Sequence, residues 1–496
     1  MRAAQVVFHA RKTVSFAHKL ACPTHCTCAL MFERLGMKRI AILLGVAIFV
    51  IAGCVDQDKE VAVYRQVLGG PANMPATMPA VLTLERAMQM ANATNEQLAI
   101  SGETYLQSLI DRDRAVASFL PNISLQPSYF KTQTVPLPQP AASFFPLKAW
   151  DVPVNGQMNV FNGFRDVAAL KQAAANIEQR KALLKDLQST LLVEVAQVYY
   201  QVLRSEKVAE VLADSVQVQE DRVRELQHRV DAGVSRKVDL LQAQAQAAAT
   251  RVSLVNAVSN VVKGRATLAF LIGANIVDSP LTDQFDVPSV ASAESFEQAA
   301  RVNRQDLAAA IAGVGVAQQG VQEAIGQYYP SVSVNANEFL HRESFPQDSE
   351  WNALIAVNVP IFTGGRIHAD VRAALSRVRQ AKLNESLVRR QIVENVRIAY
   401  EDLVAAARAV DELKIELAAA EQGYRQAAES YRAGVGTSLD ALIAQNQWLR
   451  AQVQLTSQQF EQKVAYLTLL RVAGELDLNT PMEINKSIQP SSAPAY

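Results

Sequence analysis

The chain has 496 residues, enough for two or three domains, and its 48 basic and 48 acidic side chains balance. A balanced charge argues against a nucleic-acid partner, which would require a strongly basic surface. The three histidines after residue 54 lie far apart, and no glycine-rich phosphate loop, HExxH or CxxC spacing occurs, so we expect neither an enzyme nor a metal cofactor.

Residues 1–36 do not look like any targeting segment, and we interpret them as an over-extended gene start, with initiation at Met31 or Met37. Cys22, Cys26 and Cys28 all lie in this segment, beside a histidine, so their apparent metal-binding pattern would be absent from the mature protein. One cysteine then remains, and no disulfide framework is expected.

Residues 37–53 are predicted to be a secretory signal, because a short basic start precedes an apolar run that is too short to span a membrane. The end of the signal resembles a bacterial lipobox, which predicts that Cys54 is acylated and begins a linker over residues 54–80. Val55 follows the cysteine where aspartate can stand, and by that resemblance it favours the outer membrane. The alternative is an ordinary signal anchor with an incidental cysteine.

The chain is written twice, and from Trp150 onward the two copies run with a constant offset of 201 residues that takes Trp150 to Trp351, Tyr199 to Tyr400 and Gly273 to Gly474. A register held without insertion over so long a stretch indicates rigid elements of fixed length, since loops would have drifted. We predict a first repeat over 81–273, a connector over 274–295, a second repeat over 296–476 and a C-terminal tail over 477–496.

Each repeat begins with a segment in which apolar and polar residues alternate on both sides of a polar loop, which predicts β-hairpins over 122–161 and 331–362. The first loop is longer and contains three prolines, so it is not a strand. Strands of this length could cross a bilayer when tilted. Four strands cannot close a barrel alone, so they form either a soluble sheet or part of a barrel shared between subunits.

Each repeat continues with a stretch free of proline, in which apolar residues recur every 3.5 residues. This pattern predicts two long antiparallel helical hairpins, over 164–272 and 365–473, whose seams are typical of coiled coils. Gly233 and Gly434 interrupt the pattern and are expected to end the first helix of each hairpin. One such hairpin cannot bury its seam without neighbours.

Together these features resemble the TolC-like outer-membrane factor family, over about residues 60–476. The resemblance is carried by the order of the motifs: Leu84 through Asn95, Phe161 through Arg165, Phe362 through Arg366, and the two hairpin tips. It implies a mostly α fold with a small β part, in which three chains each contribute four strands to a twelve-stranded transmembrane β-barrel. Their helical hairpins would form an α-barrel that extends into the periplasm.

The family resemblance implies an exit duct of a tripartite efflux pump, which moves small molecules from the periplasm to the exterior. The implied partners are two further copies in a homotrimer, a periplasmic adaptor, an inner-membrane transporter and the lipid of the cell outer membrane. No cofactor is implied apart from the covalent lipid on Cys54. The adaptor is expected to contact the tips at Gly233, Val234, Gly434 and Val435.

By the same resemblance Tyr431, Asp440, Asp239 and Ile443 are candidates for a periplasmic aperture. We expect a hydrogen bond from the Tyr431 hydroxyl to Asp239, a ring of Asp440 carboxylates that favours cations, and an apolar constriction at Ile443, where a second acid can occur in the family. The alternative is structural, because Tyr431 also falls on the apolar seam and both aspartates fall where carboxylates favour a helix N-terminus.

Two other functions remain open. A channel of the same fold could serve a type I protein secretion system instead of efflux. A protein of a different class, a structural periplasmic coiled-coil lipoprotein, would have no pore, but it leaves the two alternating segments unexplained.

Overall fold

The computed structural model describes residues 56–69, 81–133, 148–276, 279–283 and 285–478. The predicted over-extended start, signal segment and acylated Cys54 lie outside these residues, as does nearly all of the predicted tail. From residue 57 onward the elements are, in chain order, α1 (Gln57–Leu68), α2 (Leu84–Thr94), α3 (Glu96–Ala117), β1 (Asn122–Leu125), β2 (Ser128–Lys131), β3 (Lys148–Asn162), α4 (Arg165–Asp231), α5 (Lys237–Ile272), α6 (Ala293–Asn303), α7 (Gln305–Gly326), β4 (Ser331–Arg342), β5 (Trp351–Asn358), α8 (Arg366–Arg432) and α9 (Ser438–Ala473).

The repeat in the sequence is a repeat of helices. Helices α4 and α8 each have 67 residues, and α5 and α9 each have 36. At 1.5 Å per residue, α4 and α8 are each roughly 100 Å long. The predicted fold class, mostly α with duplicated long helical hairpins and a small β part, is therefore confirmed. Among the described residues no helix is both long and apolar enough to cross a membrane.

The repeat also extends upstream of the hairpins. Helices α2 and α6 have 11 residues each, and α3 and α7 have 22 each. Here the offset is 209 residues, from Leu84 to Ala293, and it falls to 201 at Trp150 and Trp351. The additional residues of the first copy therefore lie between β1 and Trp150, in the segment that the sequence predicts to be a longer loop.

The strands form one antiparallel sheet, in which β3 and β4 lie side by side at the centre, β5 pairs with β4, and both β1 and β2 pair with β3. The predicted first strand is thus divided in two. The register does not change across the break, since Leu125 faces Val154 and Ser128 faces Asp151. Pro127 interrupts the strand because proline has no N–H to donate to the ladder.

The largest apolar core lies where short helices and the connector pack on the middle of α4 and the ends of α5 and α9. The fully buried Tyr199 fixes the connector there. Its hydroxyl lies 2.8 Å from the Leu82 carbonyl oxygen and 2.7 Å from that of Thr282, and it accepts the Thr282 N–H at 3.2 Å. Burial raises the pKa of the Tyr199 hydroxyl well above its ordinary value, so it stays a neutral donor.

Candidate aperture at the helical tips

Both helical hairpins end in the same turn. At the first tip, between α4 and α5, the Val234 N–H donates to the Arg229 carbonyl at 2.8 Å; at the second, between α8 and α9, the Val435 N–H donates to the Ser430 carbonyl at 3.0 Å. Gly233 and Gly434 have φ values of 74° and 77°. Glycine is required here by this left-handed backbone and not by crowding, since a Cβ at either position would meet no atom within 4 Å.

The tips present apolar side chains to solvent in the isolated chain. Val234 is 68% exposed and Val435 is 83% exposed, and each directly follows its turn glycine. Val238 and Leu439, one turn further along the return helices, are also exposed. Exposed apolar groups clustered at the end of a long helical hairpin are typical of a protein contact surface.

At the first tip Asp239 has a different partner from the one expected. It accepts hydrogen bonds from the Arg236 guanidinium at 2.9 and 3.2 Å, and it is only 8% exposed. The expected bond from the Tyr431 hydroxyl to Asp239 is not formed within this chain. Asp239 lies in the first turn of α5 and is neutralised locally, so its carboxylate is already occupied by a cation three residues away.

At the second tip Asp440 forms a capping box. Its carboxylate accepts from the Thr437 N–H at 3.1 Å and from the Thr437 hydroxyl at 2.6 Å, while the Asp440 N–H donates to the same hydroxyl oxygen at 3.1 Å. The hydrogen bond from the hydroxyl is the main cause that lowers the pKa of Asp440, and the backbone N–H adds to it. Asp440 thus lies in the first turn of α9, where it takes part in the N-terminal cap of the helix.

Tyr431 lies between two arginines of the other hairpin. The guanidinium carbon of Arg222 is 4.9 Å from its ring centroid, and that of Arg229 is 5.1 Å away. The ring packs on a small apolar cluster formed by Leu226, Leu240 and Ala243 of the first hairpin. Tyr431 therefore connects the hairpins through the face of its ring.

The arginines around Tyr431 were not predicted from the sequence. Arg222 also donates to Ser438 at the start of α9, 3.2 Å from the hydroxyl oxygen and 3.4 Å from the carbonyl oxygen. A signal in the sequence was Gln219, one of two polar residues in the apolar seam of α4, about one turn before Arg222. Ile443 on α9 is 48% exposed in the single chain, so its side chain is free to face a lumen or a neighbour.

No group of three or more histidine, cysteine, aspartate or glutamate side chains arranged to hold a metal ion occurs in the described part of the chain. The tip carboxylates are instead paired within the helices that carry them, Asp239 with an arginine and Asp440 with a threonine. The tips therefore present a surface on which acidic and apolar side chains lie close together.

Two matched hairpins of about 100 Å that end in glycine turns, joined to one antiparallel sheet, define a channel of the outer-membrane type. The family model described as outer membrane efflux protein matches residues 107–274 and 297–475, which together make up more than half of the chain. The chain belongs to this family. The two matched segments correspond to the two repeats, and both the family and the fold are those of channel proteins.

Relatives agree with this assignment. The outer membrane efflux protein BepC of Brucella suis biovar 1 is 25% identical over 327 residues, which cover 64% of this chain and 70% of BepC. The alkaline protease secretion protein AprF of Pseudomonas aeruginosa is 24% identical over 300 residues, covering 58% of this chain and 62% of AprF. The crystal structure of the outer membrane protein VceC from Vibrio cholerae superposes with a TM-score of 0.69 at 20% identity, covering 79% of this chain and 96% of VceC.

Proposed function

We propose that the protein is the exit duct of a tripartite efflux pump, which carries small molecules from the periplasm through the outer membrane. The observation that carries the proposal is the combination of an open sheet with two matched 67-residue helices in one chain. The sheet is too narrow to enclose a pore, and the helices are long enough to extend well beyond a membrane. Transport through such a duct needs no catalytic residue, because the transporter supplies the energy.

Three copies close the barrel in this proposal. In the sheet order β1 and β5 lie at opposite ends, and β5 exposes Trp351, Ile355 and Val357 in the single chain. A membrane does not tolerate unpaired sheet edges, so these strands require partners. If β1 and β2 are counted as one interrupted strand, each chain contributes four strands and three sheets joined edge to edge give twelve. The same three-fold arrangement places the six hairpins around one helical tube.

The proposed partners follow from the two ends of the molecule. A periplasmic adaptor binds the exposed tips at Gly233, Val234, Gly434 and Val435, and it connects the duct to an inner-membrane transporter. An acylated Cys54 adds an anchor in the outer membrane. One lipid cluster binds a bilayer far more weakly than an embedded barrel does, so Cys54→Ser should remove acyl labelling while the trimer still assembles. Loss of the trimer in this variant would contradict a supplementary role.

The aperture is proposed to lie at the tips, lined by Asp440 and Ile443, with Tyr431 and Asp239 as the gate positions. Three converging carboxylates would favour cations. We expect Asp440→Asn to shift the reversal potential in a KCl gradient toward zero, as cation preference falls. Glu429→Gln, near the second tip but on α8, serves as the matched control. An unchanged reversal potential in Asp440→Asn would contradict the proposal that Asp440 lines the aperture.

The central experiment is to purify the chain in mild detergent and record its conductance in planar bilayers. A duct predicts a heat-modifiable trimer that conducts ions. A monomer, or a trimer without conductance, would contradict the proposal and favour the structural coiled-coil lipoprotein.

Protein secretion is the second candidate, and the similarity to AprF supports it, since that protein is described as a secretion protein. Deletion of the gene separates the two. An efflux duct predicts greater sensitivity to small toxic compounds with an unchanged set of secreted proteins, whereas a secretion duct predicts the loss of a secreted protein.

A further inference from the structure

The contact between α4 and α9 changes its chemistry along its length. Near the main core the Tyr200 and Phe460 rings face each other, with centroids 6.1 Å apart. Twenty-two residues further along α4 and twenty-two residues back along α9, Arg222 faces Ser438. The two helices therefore keep one antiparallel register from the core to the tip, and this register places Ser215 level with Gln445.

The tip end of this contact is polar. We call Ser215, Gln219, Arg222, Ser438 and Gln445 the polar layer. Gln219 and Gln445 are each 2% exposed, yet their side-chain oxygens have no hydrogen-bond partner among the described residues, and neither does the Nε of Arg222. Gln219 donates only a long bond of 3.4 Å to the Ser215 hydroxyl. Buried polar groups without partners destabilise a closed contact, and hydration on separation would restore their hydrogen bonds.

Arg222 opposes this separation. It contacts both helices of the second hairpin, α9 through the Ser438 oxygens and α8 through the Tyr431 ring, while Arg229 covers the same ring. The second hairpin is itself held together near this level by the Tyr424 and Trp448 rings, which stack at 5.2 Å with an interplanar angle of 9°. Arg222 is thus the arginine of the first hairpin that contacts both helices of the second, while Arg229 contacts only the Tyr431 ring.

We propose that Arg222 is the clasp of the resting aperture, by which we mean the side chain that holds the two hairpins together near their tips. The polar layer is the surface along which the two hairpins separate when the aperture opens. This inference rests on the proposed duct and deepens it by naming what holds the resting state. The clasp acts through the Tyr431 ring and the Ser438 oxygens, and it does not use the Tyr431 hydroxyl or Asp239. Arg222 is a positioning residue in this account, since it acts through the second hairpin.

The first test is the resting conductance of Arg222→Met trimers in planar bilayers. The variant keeps the apolar stem and removes the guanidinium, so we expect the resting open probability to rise on the order of tenfold, as for the loss of one hydrogen bond to a charged group. Arg224→Met is the matched control, because Arg224 is exposed on the same helix and pairs with Asp221 of that helix. A conducting trimer whose open probability is unchanged by Arg222→Met overturns the clasp.

Two further comparisons test the chemistry even if Arg222→Met does not assemble. Tyr431→Phe keeps the ring face and should leave the resting conductance unchanged, whereas Tyr431→Leu should raise it; a rise in Tyr431→Phe would instead identify the hydroxyl as the link. The double change Gln219→Leu with Gln445→Leu makes the layer apolar and should lower the open probability. An increase would contradict the polar layer. A wild-type trimer that does not conduct overturns the duct itself, which distinguishes that failure from failure of the clasp.

Discussion

The two ends of the α4–α9 contact differ in what stabilises them. At the core end, aromatic and aliphatic side chains of both helices belong to one large apolar cluster, and short helices and the connector pack against it. At the tip end, the apolar cluster around Leu226 is small, and the neighbouring layer contains buried amide oxygens without partners. One pair of helices thus has a large apolar contact at one end and a small, partly polar one at the other, and the proposed aperture would require this difference in order to open while the trimer stays assembled.

The largest effect is expected from opening a cavity at the core end. Leu192 is 1% exposed in the main core, and Leu192→Ala should lower the free energy of unfolding by about 2–5 kcal/mol. The measurement is the denaturant dependence of trimer unfolding. Leu226→Ala at the tip is the matched control, since Leu226 is equally buried but belongs to the small cluster. We expect it to increase amide exchange near the tip with a smaller shift of global unfolding. Equal global shifts would contradict the comparison.

A smaller effect is expected from the hydrogen bonds that tie the connector to the core end. Tyr199→Phe removes the hydroxyl that serves the Leu82 and Thr282 backbone, and it should lower the free energy of unfolding by about 1–3 kcal/mol. The resting conductance should not change, because the tips are far along the helices. Tyr400→Phe at the repeat-matched position, where the side chain is only partly buried, should have a smaller effect. Altered conductance in Tyr199→Phe would show that the two ends are coupled.

The sequence predicted the regular part of the fold because rigid helices leave a strict period. The absence of proline and the 3.5-residue seam indicated both hairpins, and Gly233 and Gly434 indicated their tips. The division of the first strand was missed, since the effect of Pro127 depends on which residues lie opposite it on β3. The short helices that precede the strands in each repeat, α2 and α3 in the first and α6 and α7 in the second, were not among the predicted elements.

The candidate site was harder to predict than the fold. Arg222 and Tyr431 are 209 residues apart in sequence, and an arginine on a long helix usually lies in solvent. The antiparallel register of α4 and α9 places Arg222 beside Ser438 at the start of α9, and the second tip places Tyr431 of α8 close to that point. The pairing of Asp239 with Arg236, three residues away, was also not predicted, because the sequence leaves several partners open to a carboxylate in the first turn of a helix.

A third effect is expected at the tip end, where the two tips begin their return helices differently. Thr437→Ala removes the capping bond to the Asp440 N–H and should lower the local stability of the first turn of α9 by about 1 kcal/mol. Amide exchange in that turn reports the change. Ser235→Ala at the first tip is the control, because α5 begins there without a side-chain capping bond. Equal changes at both tips would contradict the role of the capping box.

The smallest effect is a pH dependence confined to the second tip. The Thr437 hydroxyl and N–H lower the pKa of Asp440 in the folded state below its value in the unfolded chain, near 4. A lowered pKa means that the carboxylate stabilises the turn above about pH 4 and that this contribution is lost as the pH falls through the lowered pKa. In the wild type, the protection of the backbone amides at the start of α9, measured as the exchange rate relative to the intrinsic rate at the same pH, should therefore fall in acid. In Asp440→Asn it should not show this acid-dependent step, and a step that persists there would assign the titration to another group.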